Sequence, residues 1–330
     1  MVLPPRGFSL VIFVWMLKQI HRLIKGPRPL SPKSLKSFFE ISASPIRDYW
    51  NMLSGIQEIH IRQKKDNKPI KVTLPPERII WYIEMYNRGV KIEEIDPEGG
   101  LITWRYQNIL LTARWEQPED NATIKQVYGD KLLGERFENM RIIDIGGYIG
   151  DTALMFIHGG ARQVCVVEPS PENLKFLKKN IEQNFCTDRV RIFPVAIGAQ
   201  DGIAQFTVDE NHPDSHHLSV LGESIMPLQK NWRNLRTVEV PLWTFEKLLK
   251  ELGWEEVDFV KVDCEGGEYP LFMQTPPEVL RRVKTYYVEY HDGIEPLERR
   301  LDEVGYSLQK LPNPYTPFPQ MGFFYAHRKN

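Results

Sequence analysis

Arg141-Ile142-Ile143-Asp144-Ile145-Gly146-Gly147-Tyr148-Ile149-Gly150-Asp151 is the stretch on which the fold turns. A short apolar run without in–out alternation enters a glycine-rich turn, and a helical stretch follows. A strand covered on both faces reads this way, as in a parallel sheet. Glycines between strand and helix let the backbone turn tightly and approach a ligand closely. Working outward, similar runs recur at Gln163–Val167, Val190–Ile197, Val257–Val262, Thr285–Tyr290, Ser307–Leu311 and Phe323–His327, separated in the main by helical stretches. The helix after the second run is well marked: Ser170 caps it, Pro171 fits its first position, and Leu174, Leu177, Ile181 and Phe185 form an apolar stripe. The expectation is an α/β, doubly wound, Rossmann-like domain over residues 120–330, with a mostly parallel seven-stranded sheet.

The glycine loop excludes two ligand classes. A dinucleotide fingerprint read from Gly146 needs glycines where Tyr148 and Asp151 stand, and a P-loop needs a Gly-Lys-Ser/Thr ending that is missing. What remains is Asp144-x-Gly146-x-x-x-Gly150, acidic at both ends, which repels a pyrophosphate and suits a ligand with an ammonium and a sulfonium. The second strand ends at Glu168, 22 residues after Gly146, where a carboxylate can accept both hydroxyls of a ribose. Together these suit S-adenosylmethionine. The small residues Val195-Ala196-Ile197-Gly198 offer space for the adenine, with Ala196 as the contact.

The fourth strand, Val257-Asp258-Phe259-Val260-Lys261-Val262, runs into Asp263-Cys264-Glu265-Gly266-Gly267-Glu268. At this point the chain resembles the FkbM family of S-adenosylmethionine-dependent methyltransferases. The segments that carry the resemblance are 142–154 (IIDIGGYIGDTAL), 166–180 (VVEPSPENLKFLKKN), 195–198 (VAIG), 257–272 (VDFVKVDCEGGEYPLF) and 288–291 (VEYH), with 123–133 (TIKQVYGDKLL) as an opening segment. The resemblance implies the class I methyltransferase fold, with cofactor contacts at Asp144, Gly146, Gly150 and Glu168 and with Gly147 in the same loop. It also implies O-methylation of a hydroxyl on a sugar, glycan or other small molecule.

An alcohol acceptor must lose its proton to a positioned base, while in-line placement supplies much of the remaining catalysis. Asp263, His291 and Glu265 are the candidates, and Lys261 is expected to point away from the cleft or to pair with one of the acids. Asp263, Glu265, Glu268, Glu289 and His291 also make an oxygen-rich set suited to Mg²⁺. Carboxylates around a cationic cofactor account for them more simply, so no metal is assigned. Asn313-Pro314-Tyr315 resembles an element of amino-group methyltransferases, but that element closes the fourth strand, where this chain has Asp263-Cys264-Glu265; the expectation is a hairpin turn. Ser215-His216-His217 reads as part of a solvated loop. Neither a GxSxG elbow nor an HExxH motif is present.

Composition frames these readings. The 330 residues are 42% hydrophobic and 26% charged, which excludes a disordered tail and a polytopic membrane protein. The net charge of -1 predicts no nucleic-acid partner, yet it conceals an asymmetry: residues 1–72 carry thirteen Lys/Arg against four Asp/Glu. The apolar run Phe8–Leu17 is ten residues, well short of a membrane span, and lacks a cleavage site after it. Continued as a helix to about Ile24, the segment places Lys18, Arg22 and Lys25 on one face, as an interfacial helix or a helix packed on its own domain or on a partner chain would. Residues 26–37 read as a proline-rich linker, so the expected organisation is 1–37 basic segment and linker, 38–119 α+β extension, and 120–330 catalytic domain. Three scattered cysteines give no disulfide framework. A cytoplasmic protein with peripheral membrane contact through residues 8–25 is expected. RNA or protein methylation, and a non-catalytic membrane-associated binding protein, are the alternatives.

Overall fold

The computed structural model describes residues 32–42, 47–48, 58–62, 69–73, 76–115, 117–131, 133–209, 212–220, 223–224, 235–312 and 320–329. The segment 8–25 and the turn at Asn313-Pro314-Tyr315 lie outside them. The chain divides into two compact units, Met1–Asn108 with Arg114–Glu116, and Ile109–Ala113 with Gln117–Asn330. Among the described residues no helix is long and apolar enough to cross a membrane.

In the first unit, α1 (Pro32–Ile41) precedes an antiparallel pair, β1 (Glu58–Arg62) and β2 (Pro69–Thr73), then α2 (Pro76–Asn87) and a hairpin of β3 (Val90–Asp96) and β4 (Leu101–Tyr106). The expected linker is thus corrected at its end. A proline is tolerated in a first helical turn, and Phe38 and Ile41 supply buried apolar side chains, so the helix starts at Pro32. Its core gathers Ile61, Val72, Ile79, Tyr82, Trp104 and Trp115, with the Tyr82 and Trp104 rings edge to face at 5.0 Å. After β4, Gln107 turns the chain at φ +51° into β5 (Ile109–Arg114).

The second unit opens with α3 (Pro118–Ile124), extended by a π-helical turn at Lys125–Gly129. Next come β6 (Arg141–Ile145), α4 (Asp151–His158), β7 (Gln163–Val167), α5 (Pro171–Gln183) and β8 (Val190–Phe193). The chain continues through β9 (Ala196–Ile197), β10 (Gly202–Asp209), β11 (His212–Val220), β12 (Glu223–Ser224) and β13 (Leu235–Trp243) to α6 (Phe245–Leu252). It closes with β14 (Val257–Val262), α7 (Glu268–Gln274), α8 (Pro277–Leu280), β15 (Val283–Tyr290), α9 (Glu295–Val304), β16 (Tyr306–Lys310) and β17 (Gly322–Arg328). The main sheet runs β16-β17-β15-β14-β6-β7-β8, parallel from β15 to β8, with β17 antiparallel to both neighbours. This is the class I methyltransferase arrangement, a Rossmann-like sheet flanked by helices.

The sheet's core explains the continuous apolar runs. Ile143, Ile145, Val260, Val262 and Val288 on one face pack with Phe245 and Leu249 of α6, Leu271 and Phe272 of α7, and Leu297 and Leu301 of α9. Elsewhere Phe137, Phe156 and Phe259 meet edge to face at 4.8–5.8 Å. Ser170 caps α5 as expected, its hydroxyl accepting from Asn173 N. The apolar stripe ends at Ile181: Phe185 follows the helix at φ +56° and is 91% exposed.

Two expectations fail between residues 190 and 243. The run Val190–Ile197 is broken at Pro194, which has no N–H for a ladder, and the chain re-pairs afterwards. β9 joins β13 in a separate five-stranded sheet, β12-β11-β10-β13-β9. Ser215-His216-His217 lies within β11 rather than in a loop.

Candidate active site

The order of the main sheet reverses at β6, whose neighbours β7 and β14 lead away to opposite sides. A crevice at the carboxyl ends of such strands is where a doubly wound sheet binds ligand. Gly146 lets the two strand ends meet: at φ +81°, any Cβ there would stand 1.7 Å from the Asp263 carbonyl oxygen. Asp263 N donates to Ile145 O at 3.1 Å, and both Gly146 N and Gly147 N donate to Val167 O. Gly150, at φ +85°, delivers the chain into α4.

Tyr148, itself at φ +47°, ties the glycine loop to the end of β7 and to α3. Its N–H donates to Glu168 Oε2 at 2.9 Å, and its hydroxyl donates to the buried Asp120 of α3. Tyr128 of the π turn donates to Asp151 O at 2.7 Å, which fixes the opening segment against the start of α4. π-helical turns recur at functional sites.

Together these elements frame an open cleft. Thr123, Gln126 and Val127 line one side, Gly146, Tyr148, Asp151 and Thr152 the loop, and Lys261, Asp263, Tyr287 and Glu289 the sheet. The spacing of 123, 126 and 127 is one face of a helix, a signal the sequence carried.

Of the cofactor residues expected, Gly146 alone lines this cleft. Asp144 lies fully buried beneath it, taking a hydrogen bond from the Thr152 hydroxyl and standing 3.5 Å from Lys261 Nζ. Burial pushes the Asp144 carboxyl up despite these partners. Gly147 packs on Val166, and Ala196 belongs to a small cluster with Ala204, Val240 and Leu242. Glu168 is 4% exposed and accepts from Tyr148 N, from Ser170 N at 2.8 Å and from Asn173 Nδ2 at 3.5 Å. Burial outweighs those donors and raises its pKa to about 7.

The residues missed or underweighted are instructive. Of the two placements expected for Lys261, the pairing with an acid holds and the outward one does not: it lines the cleft, Nζ donating to Gly146 O at 3.2 Å and pairing with Asp263 at 3.1 Å. Burial opposes its charge, but Asp263 and Asp144 outweigh burial and hold the ammonium above the usual lysine range. Asp151 lines the cleft with its carboxylate Oδ2 buried and without a hydrogen-bond partner, and burial raises its pKa to about 6.

The three proposed catalytic groups differ in position. Asp263 lines the cleft; His291 and Glu265 do not. Burial would raise the Asp263 carboxyl, but Lys261 and His291 hold it below the carboxylate range. Partial burial and the neighbouring Asp263 charge push the half-buried Glu289 well up. His291 is almost wholly buried, with Nδ1 at 2.9 Å from Glu268 Oε1, which also accepts from His291 N. Burial works against its charge, but Glu265 and Glu268 outweigh burial and raise its pKa well above the ordinary value. Glu265 reaches its place through a left-handed backbone at φ +51°, followed by Gly266 at φ +96°.

The residues fit a cationic nucleoside cofactor. Asp151 presents an orphaned buried oxygen to the cleft, the Gly146 cradle would be filled by any Cβ, and the acidic lining favours positive charge. The second unit is an S-adenosylmethionine-dependent methyltransferase domain of class I. The chain belongs to the FkbM methyltransferase family, whose domain, described as the methyltransferase FkbM domain, matches residues 144–308.

Among solved structures, the chain is similar to a methyltransferase FkbM from Methylobacillus flagellatus KT at 12% identity, TM-score 0.42, covering 76% of this chain. It spans about half, 54%, of that protein's length. It is also similar to a ribosomal protein L11 methylase from Lactobacillus delbrueckii subsp. bulgaricus at 11% identity, TM-score 0.36, covering 63% of this chain and 78% of that one. The magnesium protoporphyrin IX methyltransferase from Synechocystis PCC 6803 matches at 9% identity, TM-score 0.33, covering 63% of this chain and 79% of the other. No curated protein matches the chain.

Proposed function

We infer that this chain methylates a hydroxyl oxygen of a sugar, glycan or other small molecule. The observation that carries the reading is the position of Asp263: at the end of β14, it lines the cleft between Lys261 and Glu289, 30% exposed at its side chain. An alcohol must give up its proton as it is methylated, and a carboxylate at the cleft is placed to receive one. His291, with its side chain 1% exposed, is outside the cleft lining, so Asp263 is the stronger base on geometry.

S-adenosylmethionine supplies an electrophilic methyl on a sulfonium. Glu168 is assigned to the ribose hydroxyls and Asp151 to the cationic amino-acid portion, with Gly146 leaving room for close approach. Lys261 holds Asp263 and Asp144 in place, and Tyr148 ties Glu168 to the opening segment.

Calorimetric titration with S-adenosylhomocysteine should show one site per chain; folded protein that binds neither it nor S-adenosylmethionine overturns the reading. Asp263→Asn should retain nucleoside binding while lowering kcat by about 100-fold or more. The acceptor class is read by labelled-methyl transfer to glycan, small-molecule, RNA and protein pools. Label on RNA or protein alone would replace the hydroxyl assignment.

A further inference from the structure

We propose that His291, Glu265 and Asp263 form a binding site for one divalent cation of the Mg²⁺/Mn²⁺ class. One ligand atom from each lies within 4.8 Å of the others. The histidine distinguishes this group from a solvated acidic cluster. Its side chain is 1% exposed, and Nε2 has no hydrogen bond among the described residues. The nearest acceptors, Glu265 Oε1 at 3.6 Å and Glu289 Oε1 at 3.8 Å, stand beyond hydrogen-bond reach. The 3.6 Å between His291 Nε2 and Glu265 Oε1 suits two donors that share one ion about 2 Å from each.

The surroundings orient the ring as metal sites do. Glu268, fully buried, takes Nδ1 at 2.9 Å and is itself held by Gly266 N at 2.8 Å. A carboxylate on one imidazole nitrogen fixes the tautomer and aims the other nitrogen at a metal. Here it aims Nε2 toward Glu265 and Glu289. One imidazole with a carboxylate majority selects a hard, six-coordinate cation and leaves positions open for water or a hydroxyl.

The site's use rests on the O-methylation reading; its existence does not. A cation beside Asp263 would take the acceptor oxygen as a ligand and lower the hydroxyl pKa. The O–H proton then passes to a carboxylate while the oxygen–methyl bond forms and the sulfur–methyl bond breaks, leaving a methyl ether and S-adenosylhomocysteine.

The test is electron paramagnetic resonance of Mn²⁺ titrated into the chelator-stripped full chain. Expected is loss of the free six-line signal at one Mn²⁺ per chain, reversed by excess Mg²⁺. Glu265→Gln should weaken binding at least 10-fold. Glu268→Gln, which removes only the orienting charge, should weaken it by about 10- to 100-fold. Glu303→Gln, an exposed change on α9, should have no effect. Circular dichroism confirms that each variant is folded. An unchanged free signal with wild-type chain, or equal Mn²⁺ uptake by folded Glu265→Gln and Glu268→Gln, overturns the site. Calorimetry with S-adenosylhomocysteine on the same stock separates the two readings: nucleoside binding without Mn²⁺ binding sinks only the cation, and the converse sinks only the methyltransferase reading.

Discussion

Glu168 concentrates the chemistry of the nucleoside site in one residue. Burial raises its pKa to about 7, so the folded chain holds the proton more tightly than the unfolded chain does. The stability this gives is present at low pH and declines as pH rises from the ordinary glutamate range through about 7. Ligand binding runs the other way, because ribose hydroxyls need an ionised acceptor. Affinity for S-adenosylhomocysteine should therefore rise about 30-fold between roughly pH 5.5 and pH 8. Glu168→Gln should flatten that dependence and weaken binding at the upper end; a pH-independent wild-type affinity by calorimetry would contradict the assignment. Gly146 makes a structural prediction. Gly146→Ala places a methyl against the Asp263 carbonyl at a left-handed φ and should cost more than about 3 kcal/mol in chemical denaturation. A loss under about 1 kcal/mol would mean the ends of β6 and β14 are not held so close. Both residues were legible in the sequence because strand-end position alone selects them. The His291–Glu268 contact was not, since the partners stand 23 positions apart with two helices and a strand along the way. Lys261 was half legible: period-two alternation places it on the face of Phe259 and Asp263, but only the folded sheet brings Asp144 beside it.

At the scale of elements, α5 does more than cover the sheet. Asn180 Oδ1 accepts from Thr112 N at 2.8 Å, and Asn180 Nδ2 donates to Thr112 O at 3.0 Å and Ile149 O at 2.8 Å. Asn184 accepts from Leu110 N at 2.9 Å, and Gln183 and Asn184 both donate to Leu110 O. These amides imitate a strand edge, satisfy β5, and tie it to the residue before Gly150. Asn180→Ala orphans buried backbone groups at about 1–3 kcal/mol each, so a loss of about 3 kcal/mol is expected in urea denaturation with the m value unchanged. A loss below about 1 kcal/mol would show that water replaces the amide. Amphipathic spacing revealed this helix, yet apolar periodicity says nothing about polar residues that serve another element's backbone. The same limit explains β9 to β13. Val238, Val240 and Leu242 alternate with the exposed Thr237, Glu239 and Pro241 along β13, a half-buried antiparallel pattern unlike the continuous runs of the main sheet. Pro194 was the local mark of the boundary between the sheets.

Over the whole molecule, charge is distributed by position rather than balanced locally. Residues 1–72 hold thirteen Lys/Arg against four Asp/Glu, while the cleft of the second unit is lined by Asp151, Asp263 and Glu289. The acidic lining answers to a cationic cofactor, but the cofactor gives no reason for the basic excess. Lys18, Arg22 and Lys25 follow a ten-residue apolar run, and each basic residue near an anionic membrane surface contributes about 1 kcal/mol. At a bilayer such a run and such charges act together, since neither a short apolar segment nor three charges alone holds a chain firmly there. The full chain should therefore float with vesicles containing phosphatidylserine at low salt and less with neutral vesicles. The triple variant Lys18→Gln, Arg22→Gln, Lys25→Gln should lose about 3 kcal/mol of that attraction, roughly a hundredfold in partitioning, without altering S-adenosylhomocysteine binding. High salt should reproduce the loss in the wild-type chain, because attraction to the surface is screened within a Debye length. Equal flotation of wild type and variant on anionic vesicles would show that these three charges contribute nothing at the surface, and the basic excess would then need a different partner.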